Sequence, residues 1–389
     1  MLYEHARLAS LRLGCEIRRF AVEVGFRMTS KKVAILTGGG DCPGLNAVIR
    51  AAAKTAILEH GAEVIGIEDG FEGLVENRWR PLPYLAVSGI LSQGGTILGT
   101  SNRANLFKYP LEEGGKTVFK DVSRKAVENF KAMGADVLIA IGGDGTLTVA
   151  DRLRKLGVPI VGVPKTIDND LYGTDQTFGY DTALSIATDA VDRLHSTADA
   201  HHRAMILEVM GRNAGWIALG AGLAGGGDVI LIPELPYRLE AVCAYLRKRR
   251  DAGKRFSIIV IAEGAKPAGG DVVVRQRVAD GAEPIRLGGV GFKLQEDIER
   301  CSGIESRSVS LGHLLRGGTP TAFDRILATR LGREAARLAL SGSDGVMVGL
   351  RGSEIVPVDF KDIAGRQRLV NPDHHWVQVA RSVGACFGN

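Results

Sequence analysis

The chain has 389 residues, 45% of them hydrophobic and 24% charged, which is ordinary for a globular protein with room for two core-forming units. The net charge of +5 is mild, and no basic run is interleaved with aromatic residues, so nucleic acid is not an expected partner. No apolar run approaches the roughly 20 residues that span a bilayer, so no membrane association is expected.

The first 27 residues carry five arginines ahead of Met28. Glu4, Glu16 and Glu23 argue against an organellar targeting peptide, which would be poor in acidic residues. We expect a disordered extension over 1–27, with Met28 as the natural first residue. The five cysteines form no CxxC pair, and their odd number favours a reducing, cytoplasmic location.

From Lys32 onward, short apolar runs alternate with helical patterns. The predicted strands are 33–36, 63–67, 137–141, 158–163, 203–209, 229–233, 257–262, 308–311 and, as the last one, 345–350. The predicted helices are 45–58, 122–133, 150–156, 181–193 and 324–339. Loops are predicted at 69–77 and from 265 to about 284. Strand–turn–helix units at this spacing predict parallel sheets with helices on both faces.

Gly38, Gly39 and Gly40 form a turn between the first strand and the first helix. Glycines let the backbone approach an anion closely, and a helix N-terminus offers free N–H groups and a positive dipole. The turn matches neither the Walker A nor the GxGxxG pattern, so a tight turn without a ligand remains the alternative.

A second glycine-rich turn, at 142–146, follows another buried strand and contains Asp144. A carboxylate flanked by glycines can bind Mg²⁺ directly or through water, so Asp144 is the predicted metal ligand. The alternative is an aspartate that only caps the next helix, but capping would not require the flanking glycines.

The stretch 164–170 concentrates charge just past a buried strand, where open α/β sheets place their chemistry. Asp168 and Asp170 can serve as base and metal partner in phosphoryl transfer to a hydroxyl group, and Thr166 can donate to a phosphate oxygen. The alternative is a surface Asx turn, which the apolar strand before it disfavours.

Several basic residues lie at or near strand ends, and arginine forks suit a dianionic phosphate. Each one alone would more often be a solvated surface residue, but together they predict a phosphosugar site. Glu263, at the end of a strand, can accept hydrogen bonds from sugar hydroxyls or form a structural salt bridge. The basic residues of this set are Arg203, Arg212, Arg307, His313 and Arg316.

Taken together, these motifs resemble those of bacterial-type 6-phosphofructokinases, and the resemblance extends from about Lys32 to Leu350. Gly-Gly-Asp-Gly-Thr at 142–146 is also found in NAD kinases and lipid kinases, so it decides nothing by itself. The motifs that decide are Gly-Gly-Asp-Cys-Pro-Gly-Leu-Asn at 39–46, Thr-Ile-Asp-Asn-Asp at 166–170, Glu-Val-Met-Gly-Arg at 208–212 and Leu-Gly-His-Leu-Leu-Arg-Gly-Gly at 311–318.

The resemblance implies glycolytic transfer of the γ-phosphoryl group of ATP to the 1-hydroxyl of fructose 6-phosphate, with Mg²⁺ as cofactor. Asp168 would be the general base, supported by Asp170, while Thr166 and Arg212 would stabilise the transferring group and Asp144 would hold Mg²⁺. The donor-binding residues would be Gly40, Arg103, Gly145, Thr146 and Lys165. The substrate-binding residues would be Met210, Gly211 and Glu263 for the sugar, and Arg203, Arg307, His313 and Arg316 for its 6-phosphate.

The same resemblance implies an α/β fold of two doubly wound three-layer α/β/α domains with the active site in the cleft between them. The nucleotide-binding domain would comprise 28–179 and about 315–364. The sugar-phosphate-binding domain would comprise 180–314 and about 365–389. Arg203 and Arg307 would reach the site from a neighbouring subunit, so a homotetramer is expected.

The donor site departs from the usual pattern of ATP-dependent bacterial enzymes. Lys165 stands where those enzymes have glycine and resembles pyrophosphate-dependent relatives. Gly145 instead resembles the ATP users, because an aspartate there would oppose the α-phosphate of a nucleotide. The pair resembles an ATP-using branch near the pyrophosphate enzymes, so ATP is the expected donor and pyrophosphate the alternative. The stretch 98–103, which contains Arg103, is one residue longer than in the usual bacterial pattern.

The positions that match the bacterial effector site have lost three of six cationic side chains, so control by ADP or phosphoenolpyruvate should be severely weakened. These positions are Arg50, Lys54, Tyr84, His195, Ala252 and Lys254.

Two functions of other classes remain open. A non-catalytic sugar-phosphate-sensing homologue would be expected to lose the base, yet Asp168, Asp170 and Asp144 are all present. A NAD or lipid kinase would give no reason for the set of basic residues from Arg203 to Arg316.

Overall fold

The computed structural model describes residues 31–101, 105–277, 285–363 and 365–389. The predicted extension over 1–27, Met28 and the predicted nucleotide contact Arg103 lie outside the described residues, as does part of the predicted excursion after 265. Within the part of the chain that is described, no helix combines the length and the apolar character needed to cross a bilayer.

Strands and helices alternate along most of the chain. The strands are β1 (Lys32–Thr37), β2 (Glu63–Ile67), β3 (Trp79–Pro81), β4 (Tyr109–Glu113), β5 (Lys116–Lys120), β6 (Val137–Gly142), β7 (Ile160–Pro164), β8 (Ala204–Val209), β9 (Val229–Leu231), β10 (Ser257–Ala262), β11 (Val274–Arg277), β12 (Ile285–Leu287), β13 (Ser306–Ser310), β14 (Val346–Arg351) and β15 (Glu354–Asp359). The helices are α1 (Leu45–His60), α2 (Phe71–Glu76), α3 (Ser123–Ala132), α4 (Asp144–Arg154), α5 (Tyr180–His201), α6 (Trp216–Ala224), α7 (Leu239–Asp251), α8 (Val290–Ser302), α9 (Ala322–Ser341), α10 (Phe360–Ile363) and α11 (His375–Ser382), with a 3-10 helix at Gly312–Arg316.

The chain forms two compact units. The first comprises the described residues up to Lys165, together with Gly173–Asp175 and Arg325–Gly365. The second comprises Thr166–Tyr172, Gln176–Asp324 and Arg366–Asn389.

The chain enters the second unit directly after Lys165, whereas the sequence placed that boundary at 179 and 180. The turn after Lys165 belongs to the second unit because Leu171 forms an antiparallel bridge with Gln367. Residues 315–324 also belong there, because the Asp324 carboxylate accepts hydrogen bonds from the backbone and hydroxyl of Thr182.

The first unit is built on a seven-stranded sheet with the order β15-β14-β7-β6-β1-β2-β3. Strands from β14 to β2 run parallel, and the edge strands β15 and β3 pair antiparallel. The chain moves outward from β1 through β2 and β3 and then returns to β6 on the other side of β1, so the order is doubly wound with a switch point between β1 and β6. Right-handed crossovers then place helices on both faces, and β6 and β7 are buried throughout because both of their faces are covered.

The second unit is built on a four-stranded parallel sheet with the order β13-β8-β10-β9. Its core packs apolar strand residues such as Ile206 and Ile259 against Leu246 of α7 and Leu294 of α8, all of them fully or almost fully buried. Both units are therefore α/β structures around largely parallel sheets, as the sequence predicted.

Three predictions about individual elements were wrong. The loop predicted from 265 to about 284 contains β11, which pairs antiparallel with β12. The predicted loop at 69–77 contains α2, where Phe71, Leu74 and Val75 are buried at helical spacing, a signal that the nearby glycines obscured. The strand at 345–350 is not the last one, because β15 follows it as an edge strand. None of its residues is buried, and Pro357 interrupts its apolar residues, which disfavours a strand in the sequence.

Cys243 on α7 and Cys301 on α8 form a disulfide with their Cα atoms 6.3 Å apart. No local pattern predicted this bond, because the two cysteines are 58 residues apart and meet only through the packing of α7 on α8.

Candidate functional site

The glycine turn after β1 and the turn after β6 lie side by side in the first unit. The Gly38 N–H donates to the carbonyl of Ile141 at 2.9 Å, which joins the two strand ends. Thr146 is 7% exposed, and its side chain fills the space beside Gly38 and Gly142. A Cβ atom on Gly38 would lie only 2.8 Å from the Thr146 Oγ1 atom, so the close approach requires glycine there. Thr146 therefore packs the two turns together.

Asp144 is the first residue of α4 and is half-buried. Burial raises the pKa of its carboxyl group, and a nearby cation would oppose that shift. Mg²⁺ usually binds through one or two carboxylates together with waters and substrate phosphates, and one half-buried carboxylate in a glycine-rich turn fits this mode of binding. Among the described residues, no group of three or more His, Cys, Asp or Glu side chains is placed to hold a metal ion.

Gly145 follows Asp144 and is exposed. A Cβ atom built at this position meets nothing within 4 Å, so the protein itself leaves room for a larger side chain. Glycine at 145 is therefore not required by packing within the chain.

Lys165 lies at the end of β7 with only 4% of its surface exposed. Its ammonium group donates to the carbonyl oxygen of Gly40, and its backbone N–H donates to the carbonyl of Gly142 at 3.0 Å. A buried ammonium needs such partners, because its desolvation is costly. Lys165 and Gly40, two of the predicted donor-binding residues, are thus in direct contact.

The turn 166–170 lies in the second unit. The backbone N–H of Asp168 donates to the Thr166 hydroxyl at 3.1 Å. Asn169 is 4% exposed, and its side-chain oxygen accepts from the backbone N–H of Thr177 at 3.1 Å. The Thr177 hydroxyl closes the turn by donating to the carbonyl of Thr166 at 2.7 Å. These bonds fix the backbone that carries Asp168 and Asp170.

The carboxyl ends of β8, β10 and β13 bring several predicted residues together. In the sheet, Val209 pairs with Ala262, and Glu208 pairs with Ser310. Met210 and Glu263 directly follow the paired ends of β8 and β10. His313, which is exposed, and Arg316, which is half-buried, follow β13 on the 3-10 helix.

Of the carboxyl groups at these strand ends, that of Glu263 has the most strongly shifted pKa. Burial, followed by the negative charge of Asp168, raises the pKa of Glu263 to about 7, while Arg316 opposes the rise. The Glu263 carboxylate also accepts from the backbone N–H of Arg212 at 3.3 Å. Glu263 thus contacts Arg212 directly and is influenced by the charges of Asp168 and Arg316, and all four residues belong to the second unit.

The turn after β8 has a constrained backbone. Gly211 has a φ of 142° and Arg212 a φ of 38°, both in the region that favours glycine. A Cβ atom on Gly264 would collide with the Arg212 carbonyl oxygen, so the turns after β8 and β10 approach backbone to backbone. Arg212 thus adopts an unfavourable conformation at a predicted catalytic position, which is where backbone strain tends to occur.

Arg203 and Arg307 lie at the opposite end of the same parallel strands. Arg203 directly precedes β8, and Arg307 is the second residue of β13. The six residues of β8 separate Arg203 from Met210, a length of about 20 Å. The structure therefore does not bring these two arginines to the strand ends that carry Glu263 within one chain.

Glu305 connects the two arginines. Its Oε1 atom lies 2.9 Å from the Arg203 Nη2 atom and 2.6 Å from the Arg307 Nη2 atom. Hydrogen bonding to Arg203 is the largest cause that lowers the pKa of Glu305. The sequence did not single out Glu305.

Glu208 was also missed, although it lies within one of the recognised motifs. It is 2% exposed, and its carboxylate accepts from the backbone N–H groups of Gly289 and Gly291 at the start of α8 and from the Ser310 hydroxyl. A buried carboxylate at a helix N-terminus is stabilised by those N–H groups. No local pattern could have revealed this, because Gly289 is 81 residues away in the sequence.

The C-terminal segment contributes a third group of residues that the sequence analysis did not identify. The Arg368 N–H donates to the carbonyl of Asp170 at 2.7 Å, and the Arg368 side chain stacks on Trp216. The bond to Asp170 attaches the C-terminal segment to the turn that carries Asp168.

Comparison with known proteins gives consistent matches. The Phosphofructokinase family model matches residues 32–339. The chain is 54% identical over 361 residues to the ATP-dependent 6-phosphofructokinase 2 of Clostridium perfringens, covering 92% of this chain and 99% of that protein. It is also 49% identical over 358 residues to the pyrophosphate–fructose 6-phosphate 1-phosphotransferase of Streptomyces coelicolor, covering 92% of this chain and 100% of that protein.

Among solved structures, the chain is similar to the phosphofructokinase of Saccharomyces cerevisiae, with a TM-score of 0.75 and 30% identity. The alignment covers 91% of this chain and 47% of the yeast chain, so this chain corresponds to about half of the yeast protein.

Proposed function

The chain belongs to the phosphofructokinase family, and on that premise we propose that it transfers the γ-phosphoryl group of ATP to the 1-hydroxyl of fructose 6-phosphate. The product is fructose 1,6-bisphosphate, and the reaction is a step of glycolysis. The observation that carries the proposal is the placement of Met210, Glu263 and Arg316 just past the carboxyl ends of β8, β10 and β13 in the second unit, where the charges of Asp168 and Arg316 act on Glu263. A base, an acceptor for sugar hydroxyls and a cation for a phosphate are the groups that this reaction needs.

We assign the acceptor side of the reaction to the second unit. Asp168 takes the proton from the 1-hydroxyl, and Asp170 supports it on the same turn. Thr166 and Arg212 stabilise the charge on the transferring phosphoryl group. Met210, Gly211 and Glu263 hold the sugar, while His313 and Arg316 bind its 6-phosphate. Positioning and charge stabilisation supply most of the rate enhancement in reactions of this kind.

We assign the donor side to the first unit. Gly40 lies in the turn after β1, and Gly145 and Thr146 lie at the start of α4, next to the switch point of a doubly wound sheet, where such sheets bind their ligands. Arg103 is assigned to the same role from its sequence motif. Lys165 supports the donor site through its bond to Gly40. Asp144 would hold Mg²⁺, which would neutralise charge on the phosphates of the donor.

The open space at Gly145 supports ATP as the donor, because it leaves room for the α-phosphate of a nucleotide. Pyrophosphate remains a second candidate on one specific observation. Lys165 provides a buried ammonium next to the glycine turn, and a relative with 49% identity bears the name of a pyrophosphate enzyme.

We infer that the active assembly is a homotetramer in which Arg203 and Arg307 serve the site of a neighbouring subunit. Their location at the amino ends of β8 and β13, far from Glu263 within the chain, supports this assignment. The site of a single chain would then lack two of its phosphate-binding cations.

We place the reaction in the cytoplasm, where ATP and sugar phosphates are available.

The purified protein should convert fructose 6-phosphate and ATP with Mg²⁺ to ADP and fructose 1,6-bisphosphate. Phosphorus NMR of the product identifies the new ester, which should be at the 1-position. A product phosphorylated at another hydroxyl, or the absence of turnover with any phosphoryl donor, would contradict the proposal.

A further inference from the structure

The segment 366–370 packs against the turn that carries the proposed base. Leu171 and Gln367 form an antiparallel bridge, and the backbone N–H of Arg368 donates to the carbonyl of Asp170 at 2.7 Å. All of these residues belong to the second unit. The C-terminal segment and the turn therefore pair as two short antiparallel segments.

The Arg368 side chain adds a second contact to the same turn. Its Nη1 atom donates to the carbonyl oxygen of Asn169 at 3.2 Å. A charged donor makes a stronger hydrogen bond than a neutral one. The guanidinium group thus holds the carbonyl of the residue that lies between Asp168 and Asp170.

Trp216 supports Arg368 from the other side. The guanidinium carbon lies 4.2 Å from the centroid of the indole ring, and the indole N–H donates to the carbonyl of Arg368 at 2.7 Å. Trp216 is 3% exposed and begins α6, so the support is rigid. Glu234 ties the neighbouring backbone together, because its carboxylate accepts from the N–H groups of Gly215 and Val370.

Asn169 needs this restraint. Its φ of 54° lies in the left-handed region, which asparagine adopts more readily than other non-glycine residues but still at an energetic cost that its surroundings must offset. Thr177 binds its side chain, and Arg368 binds its carbonyl oxygen. The conformation of Asn169 sets the direction in which the chain presents Asp168 and Asp170.

We propose that Arg368, stacked on Trp216, is a positioning residue for phosphoryl transfer: it fixes the turn at Asn169 and thereby the orientation of Asp168. This inference rests on the proposed function, which assigns the base to Asp168. Arg368 donates hydrogen bonds to backbone carbonyl groups of the turn, and it affects catalysis by orienting Asp168.

The test compares Arg368→Met with the wild-type protein in steady-state kinetics. Methionine retains an apolar stem against Trp216 but removes the charged donor. We expect kcat to fall by about tenfold to a hundredfold, because small misplacement of a reacting group has effects of this size. The KM for fructose 6-phosphate should stay within about twofold, because ground-state binding is retained. Arg368→Lys, which keeps the charge without the planar fork, should recover part of kcat.

The matched control is Arg381→Met. Arg381 also stacks on an aromatic ring, that of Phe387, and donates to Asn389, but it lies on α11 and contacts none of the residues 168–170. This variant should retain wild-type kcat. Circular dichroism of each variant establishes the folded fraction, and if Arg368→Met is unfolded, the comparison is made with Arg368→Lys.

A double-mutant cycle separates positioning from a general structural role. If Arg368 acts through Asp168, the substitution Arg368→Met should reduce kcat by less than about threefold in an Asp168→Ser background. An equal reduction in both backgrounds, or wild-type kcat in folded Arg368→Met, would overturn the inference. Loss of the proposed function itself would be seen separately, as absence of fructose 6-phosphate turnover in the wild-type protein.

Discussion

The ammonium group of Lys165 donates a hydrogen bond to the backbone carbonyl oxygen of Gly40 and thereby joins the end of β7 to the glycine turn after β1. Burial of an ammonium group is costly unless it is hydrogen-bonded, and Gly40 supplies such a bond. Lys165, the residue that distinguishes this chain from the usual ATP-dependent pattern, therefore binds the backbone of the proposed donor site.

Replacement of Lys165 by methionine should lower kcat/KM for ATP by about tenfold to a hundredfold, because a hydrogen bond to a charged group is worth about 1.5–3 kcal/mol. The Gly40 carbonyl would lose its buried partner, and the turn would lose its fixed orientation. Initial rates at varied ATP concentration measure the effect. The control is Lys155→Met, since Lys155 is exposed and pairs with Asp151 in the same unit, and it should behave as wild type. Equal kinetics for the two variants would refute a role for Lys165 in the donor site.

Gly145→Asp should impair the use of ATP far more than the use of pyrophosphate. The protein has room for the side chain, and an aspartate in the first turn of α4 is favourable for the helix, so the fold should be retained. The new charge would oppose the α-phosphate of a nucleotide, which pyrophosphate lacks. We expect kcat/KM for ATP to fall at least about tenfold.

Gly145→Ala is the matched control for this substitution, because it adds a methyl group without charge. It should lower kcat/KM for ATP much less than Gly145→Asp does. If both substitutions reduce the use of both donors equally, position 145 does not select the donor.

Asp168→Ser should reduce kcat by at least about a hundredfold, because a general base contributes about 10²–10⁴ to the rate. Binding of fructose 6-phosphate, measured by calorimetry, should be nearly unchanged because the sugar contacts remain. The exposed Asp189 on α5 provides the control variant Asp189→Ser, for which wild-type kcat is expected. A wild-type kcat in Asp168→Ser would remove Asp168 from the role of base.

The stability of the protein should depend on the protonation of Glu263. Burial and the charge of Asp168 raise the pKa of this carboxyl group to about 7, above its ordinary value of 4.5. Between these two values the unfolded chain releases the proton while the folded protein retains it, so this group makes stability fall as the pH rises from about 4.5 to about 7. The loss is about 3 kcal/mol, and it is complete above pH 7.

Glu263→Gln should remove this part of the pH dependence and raise the free energy of unfolding at pH 8 more than at pH 5. Urea denaturation at the two pH values measures the difference. Glu240→Gln, at an exposed position at the start of α7, is the control and should leave the pH dependence unchanged. A Glu263→Gln variant with the pH dependence of the wild type would contradict the raised pKa.

Mixed oligomers test the assignment of Arg203 and Arg307 to a neighbouring subunit. Neither Arg307→Ala nor Asp168→Ser chains should be active alone, but co-refolded mixtures should regain activity, because some sites then combine an intact Asp168 with an intact Arg307 from another chain. Random mixing in a symmetric oligomer with shared sites gives about a quarter of the sites intact. Hybrids that form, as demonstrated with two affinity tags, but remain inactive would contradict shared sites.

The sequence predicted the features that local patterns encode. The apolar runs of β6 and β7 predicted parallel sheets. The glycine-rich turns after these runs predicted which residues lie at the carboxyl ends of the strands. The sequence did not predict features that depend on contacts between distant segments. Arg368 binds Asn169 across 199 residues, and Glu208 caps α8 across 81 residues.

The arginine set shows how far local patterns reach. The predicted strands 203–209 and 308–311 already put Arg203 and Arg307 at amino ends and Arg316 beyond a carboxyl end. The sequence could not show which strands are neighbours. The register of β8 against β13, in which Ala204 pairs with Ser306, brings the two arginines to one edge of the sheet, where Glu305 binds both.

The most direct test of the central claim is the ratio of kcat/KM for ATP to kcat/KM for pyrophosphate, measured on the wild-type protein with saturating fructose 6-phosphate and Mg²⁺. We predict a ratio well above one, because Gly145 leaves space for the nucleotide phosphates. A ratio below one would contradict the account and make this chain a pyrophosphate-dependent enzyme.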